Sequence, residues 1–412
     1  DMAWKPGSET LDAFARREVE APLDSGFVFL SWPPAQRAFG ERIESAEAEI
    51  RHVLRERQGS LVTEGYFGRA WIRNIAVNAV APTRFWSLRF QPGAVVIAAS
   101  GPRLEHAIPY IRRYRERFAL WALPSALLPL RSAGIAPDLV VLTDPGFYAG
   151  CHLEPLRELP GTPVLMPLTA ARGTWRVGAR PVLIQQDFAL ERSAVARAGL
   201  PAPPLEPNGT VAGTAIAFAE RHGMQPVFAA GLDLCTEDIH THARPQVLDR
   251  YLQREEGRLS PELTARYTRI GGMRRLHGRS YASSALENYT EWFRRQAGAG
   301  TGEDSPCRLF PSPVQLPFPE CSPDALAEQK PARQELRAEP TPGPAERNEA
   351  IRRLLGELDE IVERSFSLLS TQHPGSPEDA AGELELLRAL DLPRVLRARR
   401  AIRRGDEDEA RR

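Results

Sequence analysis

Three apolar runs in this chain each stop on residues able to hold or activate a ligand. Ala94 to Ala99 leads into Ser100-Gly101-Pro102-Arg103-Leu104, Leu139 to Leu142 into Thr143-Asp144-Pro145, and Pro226 to Ala230 into Gly231-Leu232-Asp233-Leu234, with His240 and His242 a few residues on. A buried strand delivered into a small-residue turn before a helix is where an α/β sheet receives a nucleotide. Hydroxyl, glycine, carboxylate and imidazole at three strand ends would furnish one such crevice.

Each of these residues has two readings. Gly101 gives the turn after its strand freedom of backbone angle, and the helix behind it offers N–H groups and a positive end to a phosphate, with Ser100 adding a hydroxyl. An ordinary strand-to-helix turn would also use Ser100, Gly101 and Pro102. Asp144 at a strand's C-terminal end suits ligand or ribose hydroxyls, or it bonds nearby amides to start a turn. Asn208-Gly209-Thr210 precedes a helix, where Asn208 or Thr210 serves as N-cap or as a second ligand contact. A loop histidine beside Asp233 has the chemistry of a general base for a hydroxyl nucleophile. The pair His240 and His242 also has a metal-binding spacing, but no third ligand is evident and no metal is expected.

Composition limits the chemistry. The 53 basic and 53 acidic residues among 412 cancel, so the net charge makes no case for nucleic acid or an anionic membrane as partner. Lys5 and Lys330 are the only lysines, and neither a P-loop nor a Schiff-base site is available. The four cysteines, Cys151, Cys235, Cys307 and Cys321, show no Cys-x-x-Cys spacing, which reads as free thiols in a reducing compartment. No stretch approaches the roughly 20 apolar residues of a membrane span, and the first twenty residues are too polar for a secretory signal. A cytoplasmic location is expected.

The elements that must position these residues alternate. A lead-in over 1–75 contains an expected strand at Gly26 to Leu30 and a helix from Arg37 to Gln58. Over 76–245, strands at 94–99, 118–121, 139–143, 164–166, 182–184 and 226–230 are interleaved with helices at 105–117, 125–133 and 211–222, the second closed by Gly134. This predicts a doubly wound, mostly parallel, Rossmann-like sheet. Residues 246–305 read as a helical continuation, with helices over 260–270 and 283–295. Residues 306–344 read as a Pro-rich linker, and 345–412 as a helical C-terminal region.

Together the segments Phe67-Gly68 through Trp71, Asn74 and Asn78, then Ala99 to Leu104, Ser125-Ala126, Gly134 to Asp138 with Asp144, Gly209 to Ala212, and Gly231 to Leu234 with Thr241-His242-Ala243 resemble the motility-associated factor (Maf) proteins. Their central domain is similar to the 6-hydroxymethylpterin diphosphokinase MptE. Leu286 to Tyr289 with Trp292-Phe293 resembles that family's helical continuation. The resemblance implies a flagellin glycosyltransferase that moves a nonulosonic, sialic-acid-like sugar from a CMP-activated donor to Ser or Thr hydroxyls, without a required cofactor. It places Ser100 and Gly101 near the donor phosphate, Ser125 and Asp144 near the nucleotide, Gly209 and Thr210 at the cytidine, and Asp233 and His242 at the reaction centre.

Two departures stand out: Ala99 replaces the family's usual glycine, and Pro306 to Pro319 replaces a Gly-rich segment. Two other classes of function remain open. One is ATP-dependent diphosphate transfer, with Mg²⁺ on Asp144 and Asp233. The other is a non-catalytic homologue that works through its tail and Pro-rich segment.

Overall fold

The computed structural model describes residues 7, 9–18, 28–186, 188–259, 261–298 and 306–370. Its strands are β1 (Phe85–Gln91), β2 (Val95–Ala98), β3 (Ala119–Ala122), β4 (Leu139–Val141), β5 (Pro163–Met166), β6 (Arg180–Leu183), β7 (Val227–Ala230), β8 (Thr236–Glu237), β9 (Arg274–Arg275), β10 (Ser280–Ala282), β11 (Cys307–Arg308) and β12 (Arg333–Glu339). The helices are α1 (Leu11–Glu18), α2 (Pro33–Val80), α3 (Leu104–Arg113), α4 (Leu127–Ser132), α5 (Phe147–Cys151), α6 (Ala189–Arg197), α7 (Val211–Arg221), α8 (Val247–Glu255), α9 (Glu262–Gly271), α10 (Ser284–Gly298) and α11 (Pro344–Ser370).

The chain divides into two units, 1–69 with 357–412, and 70–356. In the first, α1 and the N-terminal part of α2 are helical, and Phe39 (φ −138°) interrupts α2 near its start. The expected strand at 26–30 is not found: residues 28–30 lie in no strand, and 26–27 lie outside the described residues. Past the interruption at Phe39, the expected helix at 37–58 and the segment 67–78 both lie within α2. Leu384 to Leu390 fall outside the described residues.

The second unit holds a nine-stranded sheet in the order β11-β7-β2-β3-β4-β5-β6-β1-β12. Every neighbouring pair is parallel except β1 with β12. This is the doubly wound, Rossmann-like α/β fold expected from the alternation of strands and helices. β2 lies between β3 and β7, with Val96 opposite both Leu120 and Phe228. All four of its side chains are buried, which accounts for its unbroken apolar sequence. From β2 the chain steps outward through β3, β4, β5 and β6, then returns to the other side of β2 at β7. The reversal falls between β2 and β7, and a wound sheet opens a ligand crevice at such a point.

Three expectations are corrected. The segment 306–344 is not a linker, because it supplies both edge strands of the sheet. β12 pairs with β1 over seven residues, and its charged sequence, Arg-Gln-Glu-Leu-Arg-Ala-Glu, suits an edge. Nor are all four cysteines free: Cys307 and Cys321 form a disulfide, their Cα atoms 6.0 Å apart, while Cys151 and Cys235 are free thiols. The expected helix at 125–133 is a 3₁₀ turn, Pro124–Ala126, followed by the short α4, and Gly134 follows with φ +72°. Among the described residues no helix is long and apolar enough to cross a membrane.

Buried polar groups tie this framework together. Asn74 and Asn78, one turn apart on α2, reach the loops that follow β4 and β5. Asn74 Nδ2 donates to the carbonyls of Pro145 (3.1 Å) and Thr169 (2.9 Å), and Asn78 Nδ2 to those of Leu168 (2.9 Å) and Ala170 (2.8 Å). The fully buried Glu191 accepts from the N–H groups of Thr169 (3.2 Å) and Gln186 (2.9 Å). Arg347, also fully buried, donates to the carbonyls of Ala79 (2.8 Å), Val80 (3.3 Å), Pro82 and Pro342. It thereby satisfies acceptors that the C-terminus of α2 leaves open.

Candidate functional site

At the switch point the turn after β2 meets the turn after β7. Gly101 N–H donates to the Gly231 carbonyl at 2.8 Å. A Cβ on Gly101 would lie 2.5 Å from Asp233 Oδ2 and 2.6 Å from Gly231 O, so no other residue fits without a shift. Gly231 has φ +66°, and a Cβ there would lie 2.7 Å from Ala99 O. The two glycines let the strand ends touch, and that closeness leaves no room for a ligand between them.

Asp233 fills the space beneath Gly101. Its Oδ2 accepts from Arg103 N–H at 2.7 Å, and the residue is 2% exposed. Burial pushes its carboxyl up to about 6 against the opposing Arg103 amide bond. Leu104 N–H and Glu105 N–H donate back to Gly101 and Pro102. The protein itself therefore satisfies the amides of Gly101, Arg103, Leu104 and Glu105, and the α3 N-terminus is not the open anion cradle that the sequence suggested. Ser312 Oγ donates to the Asp233 carbonyl at 2.8 Å, so the segment in place of the family's Gly-rich stretch packs on this carboxylate's backbone.

The loop that carries His242 is joined to this turn through its backbone. Ser125 Oγ donates to Ser100 Oγ at 2.6 Å, and Ala243 N–H donates to the Ser100 carbonyl at 2.8 Å. The backbone just after His242 is thus held at the end of β2. The His242 ring lies 6.2 Å from that of His152, which follows α5, and its Nδ1 lies 3.0 Å from Thr241 Oγ1. Burial holds both histidines below the ordinary imidazole range, His152 at about 4. Both rings are therefore neutral at physiological pH. His240 has a different place, because it exchanges backbone hydrogen bonds with Glu237 at 3.0 Å each way.

Asp144 is exposed, and its Oδ1 accepts from Gly146 N–H at 2.6 Å, which is the turn-starting reading of this residue. Its charge reaches Tyr289 on α10 and, together with burial, raises the Tyr289 hydroxyl. One turn further on, Trp292 lies on the start of α7. A Cβ on Gly209 would be 2.7 Å from Trp292 Cδ1, and one on Gly213 2.6 Å from Cη2. Thr210 is the N-cap, accepting from Gly213 N–H at 2.8 Å, and Asn208 Nδ2 donates to the Glu206 carbonyl at 2.8 Å. The indole therefore packs directly on the two glycines at the start of α7.

The structure brings the Ser100 and Ser125 hydroxyls together, ties the loop of His242 to Ser100 through the Ala243 amide, and packs Asp233 against Gly101. Asp144 and Gly209 are both near α10, through Tyr289 and Trp292 respectively. Sequence reasoning missed His152, Thr241, Ser312 and the contact of Trp292 with the α7 glycines. Of these, only Thr241 carried a signal, through its place beside His242. Among the described residues no group of three or more His, Cys, Asp or Glu could hold a metal ion.

These features define a Rossmann-like α/β protein whose candidate site lies at the C-terminal ends of β2, β3 and β7. Residues 69–238 match the family model described as 6-hydroxymethylpterin diphosphokinase MptE-like. The structure of a MAf glycosyltransferase from Magnetospirillum magneticum AMB-1 matches with a TM-score of 0.50 over 86% of this chain and 54% of that one, at 15% identity. The protein thus shares its fold with that MAf glycosyltransferase, and its residues 69–238 are similar to the MptE-like family. An uncharacterized protein of Treponema pallidum (strain Nichols) is 27% identical over 288 residues, 69% of this chain and 61% of that protein. A second from the same organism is 24% identical over 133 residues, 31% of this chain and 63% of that protein. The chain spans about three-fifths of the first relative's length and about half of the MAf glycosyltransferase's.

Proposed function

We propose that this protein is a glycosyltransferase that moves a nonulosonic, sialic-acid-like sugar from a CMP-activated donor to Ser or Thr hydroxyls of flagellin or a similar protein. The likeness to the MAf glycosyltransferase supports the fold and the class of reaction. The observation that carries the reading is that the loop holding a neutral His242 is joined to the Ser100 turn by the Ala243 N–H to Ser100 carbonyl bond, with the Ser125 hydroxyl bonded to that of Ser100.

In this reading His242 takes the proton of the acceptor hydroxyl while its oxygen bonds to the anomeric carbon. The bond from that carbon to the phosphate oxygen breaks, and CMP leaves with the electron pair. The hydroxyl of Ser100, which accepts from Ser125, donates to the leaving phosphate, since the α3 amides are already engaged. Asp233 acts as a positioning residue, supporting the turn that presents Ser100, and Asp144 stands on the nucleotide side. The test supplies CMP-nonulosonic acid and flagellin and reads CMP release together with the mass of the acceptor. Sugar on the acceptor from the wild-type chain and none from His242→Ala supports the proposal. No transfer, with no binding of CMP, favours a homologue without this chemistry.

The description of the matched family model favours one other reading, diphosphate transfer from ATP to a pterin with Mg²⁺ on Asp144 and Asp233. Of the two carboxylates only Asp144 is exposed to such a ligand. Asp233 is buried under Gly101 with Oδ2 bonded to Arg103 N–H, and Asp144 Oδ1 is bonded to Gly146 N–H. Magnesium-dependent binding of ATP in preference to CMP would reverse this ranking.

A further inference from the structure

A general base needs its lone pair on the nitrogen that faces the substrate, and in a histidine the group bonded to the other nitrogen decides this. The only side-chain partner of His242 among the described hydrogen bonds is Thr241, whose Oγ1 lies 3.0 Å from His242 Nδ1. We propose, on the reading that His242 is the base, that Thr241 is its positioning residue, accepting a hydrogen bond from Nδ1–H and leaving the lone pair on Nε2.

The loop is built to hold this pair still. Before it, Glu237 and His240 exchange backbone hydrogen bonds at 3.0 Å. After it, Ala243 N–H is fixed on Ser100, and Arg244 is bonded to Glu105 through its N–H (2.9 Å), Nε (3.1 Å) and a terminal nitrogen (3.1 Å). The neighbouring ring, His152, has its own Nδ1 buried and without a partner, so it is no rival acceptor tied into the pair. The charged groups that act on His242 are Arg269 of α9 and Asp249 of α8. They oppose one another, and neither is hydrogen-bonded to the ring. Thr241 is half-buried, so its own hydroxyl proton is free to turn to water while its oxygen accepts. A hydroxyl in this place does what a carboxylate does in a Ser-His-Asp triad, orienting the ring and fixing its tautomer without adding charge.

The test reads the tautomer directly. The full chain is labelled with ¹⁵N-histidine, and the His242 signals are assigned by their loss in His242→Gln. Protonated Nδ1 with bare Nε2 in the wild type, and loss of that preference in Thr241→Val but not in Thr241→Ser, supports the proposal. Protonated Nε2 in the wild type, or an unchanged tautomer in Thr241→Val, overturns it. In the transfer assay, Thr241→Val is expected to lose about 10- to 100-fold in kcat, the usual cost of removing a partner that orients a histidine. The donor KM stays unchanged and Thr241→Ser restores the rate. The stated tautomer in a wild-type chain that transfers no sugar would contradict the transferase reading and leave the Thr241 bond standing.

Discussion

The amide of Ala243 donates to the carbonyl of Ser100 across 2.8 Å, joining the loop that carries His242 to the turn after the central strand β2. Residues 143 positions apart in the chain thereby share one edge. The join depends on the contact below it, where the absence of a side chain on Gly101 admits the Asp233 carboxylate.

Gly101→Ala should therefore destabilise the fold as well as disturb the site. The new methyl would press on Asp233 Oδ2, Asp233 Cγ and Gly231 O at 2.5–2.6 Å. Overpacking of this kind costs about 1–3 kcal/mol. Urea denaturation checks it, and an unchanged midpoint would show that the turn is looser than described.

Two carboxyls should give stability an unusual pH slope. Glu191 is raised from 4.5 to about 7 by burial, against the pull of its backbone donors, and Asp233 from 3.8 to about 6. Between their unfolded and folded values the native state holds protons that the unfolded chain has released. Their contribution to stability is whole below about 4 and is lost as pH rises toward 7. Glu191→Gln should flatten this fall relative to wild type in denaturant midpoints measured from pH 4.5 to 8. A steeper fall in the variant would contradict the assignment.

The disulfide between Cys307 and Cys321 closes a loop of sequence separation 14. Loops of about 15 residues gain about 3 kcal/mol from such a link in the chain-entropy account. Reduction should lower the unfolding midpoint accordingly, and the native oxidised chain should show two thiols, Cys151 and Cys235, rather than four on titration after denaturation without reductant.

Arg347→Ala should be among the costliest single changes in the second unit. It strands the buried carbonyls of Ala79 and Pro82 and removes a guanidinium lying 5.1 Å from the centre of the Phe85 ring. Each buried polar group left unpaired costs about 1–3 kcal/mol, and a loss below 1 kcal/mol by chemical denaturation would refute this role.

The parts of the fold legible in the sequence are those set by local pattern. β2, β4 and β7 read as strands because continuous apolar runs are what a sheet covered on both faces requires. α7 was legible from its cap at Thr210. β12 was hidden, because an edge strand with Leu336 as its one large apolar side chain carries little apolar signal and here lies within a Pro-rich context. At the site, the residue types of Ser100, Ser125 and His242 are readable as candidates, and their positions relative to one another are not. For Asp233 the sequence shows a carboxylate at a strand end but not the glycine 132 positions earlier that it packs against. The same limit hid Trp292, whose contact with Gly209 and Gly213 exists only after α10 folds over the start of α7.

The most direct test of the account is the transfer reaction followed against pH, with CMP-nonulosonic acid and flagellin as substrates. Burial lowers the His242 imidazole below 6.5, so the base form persists into more acidic solution than for an ordinary histidine. The account predicts sugar transfer whose acidic limb falls below pH 6.5, and no transfer but nearly intact CMP binding in His242→Ala. Equal turnover in that variant would contradict it.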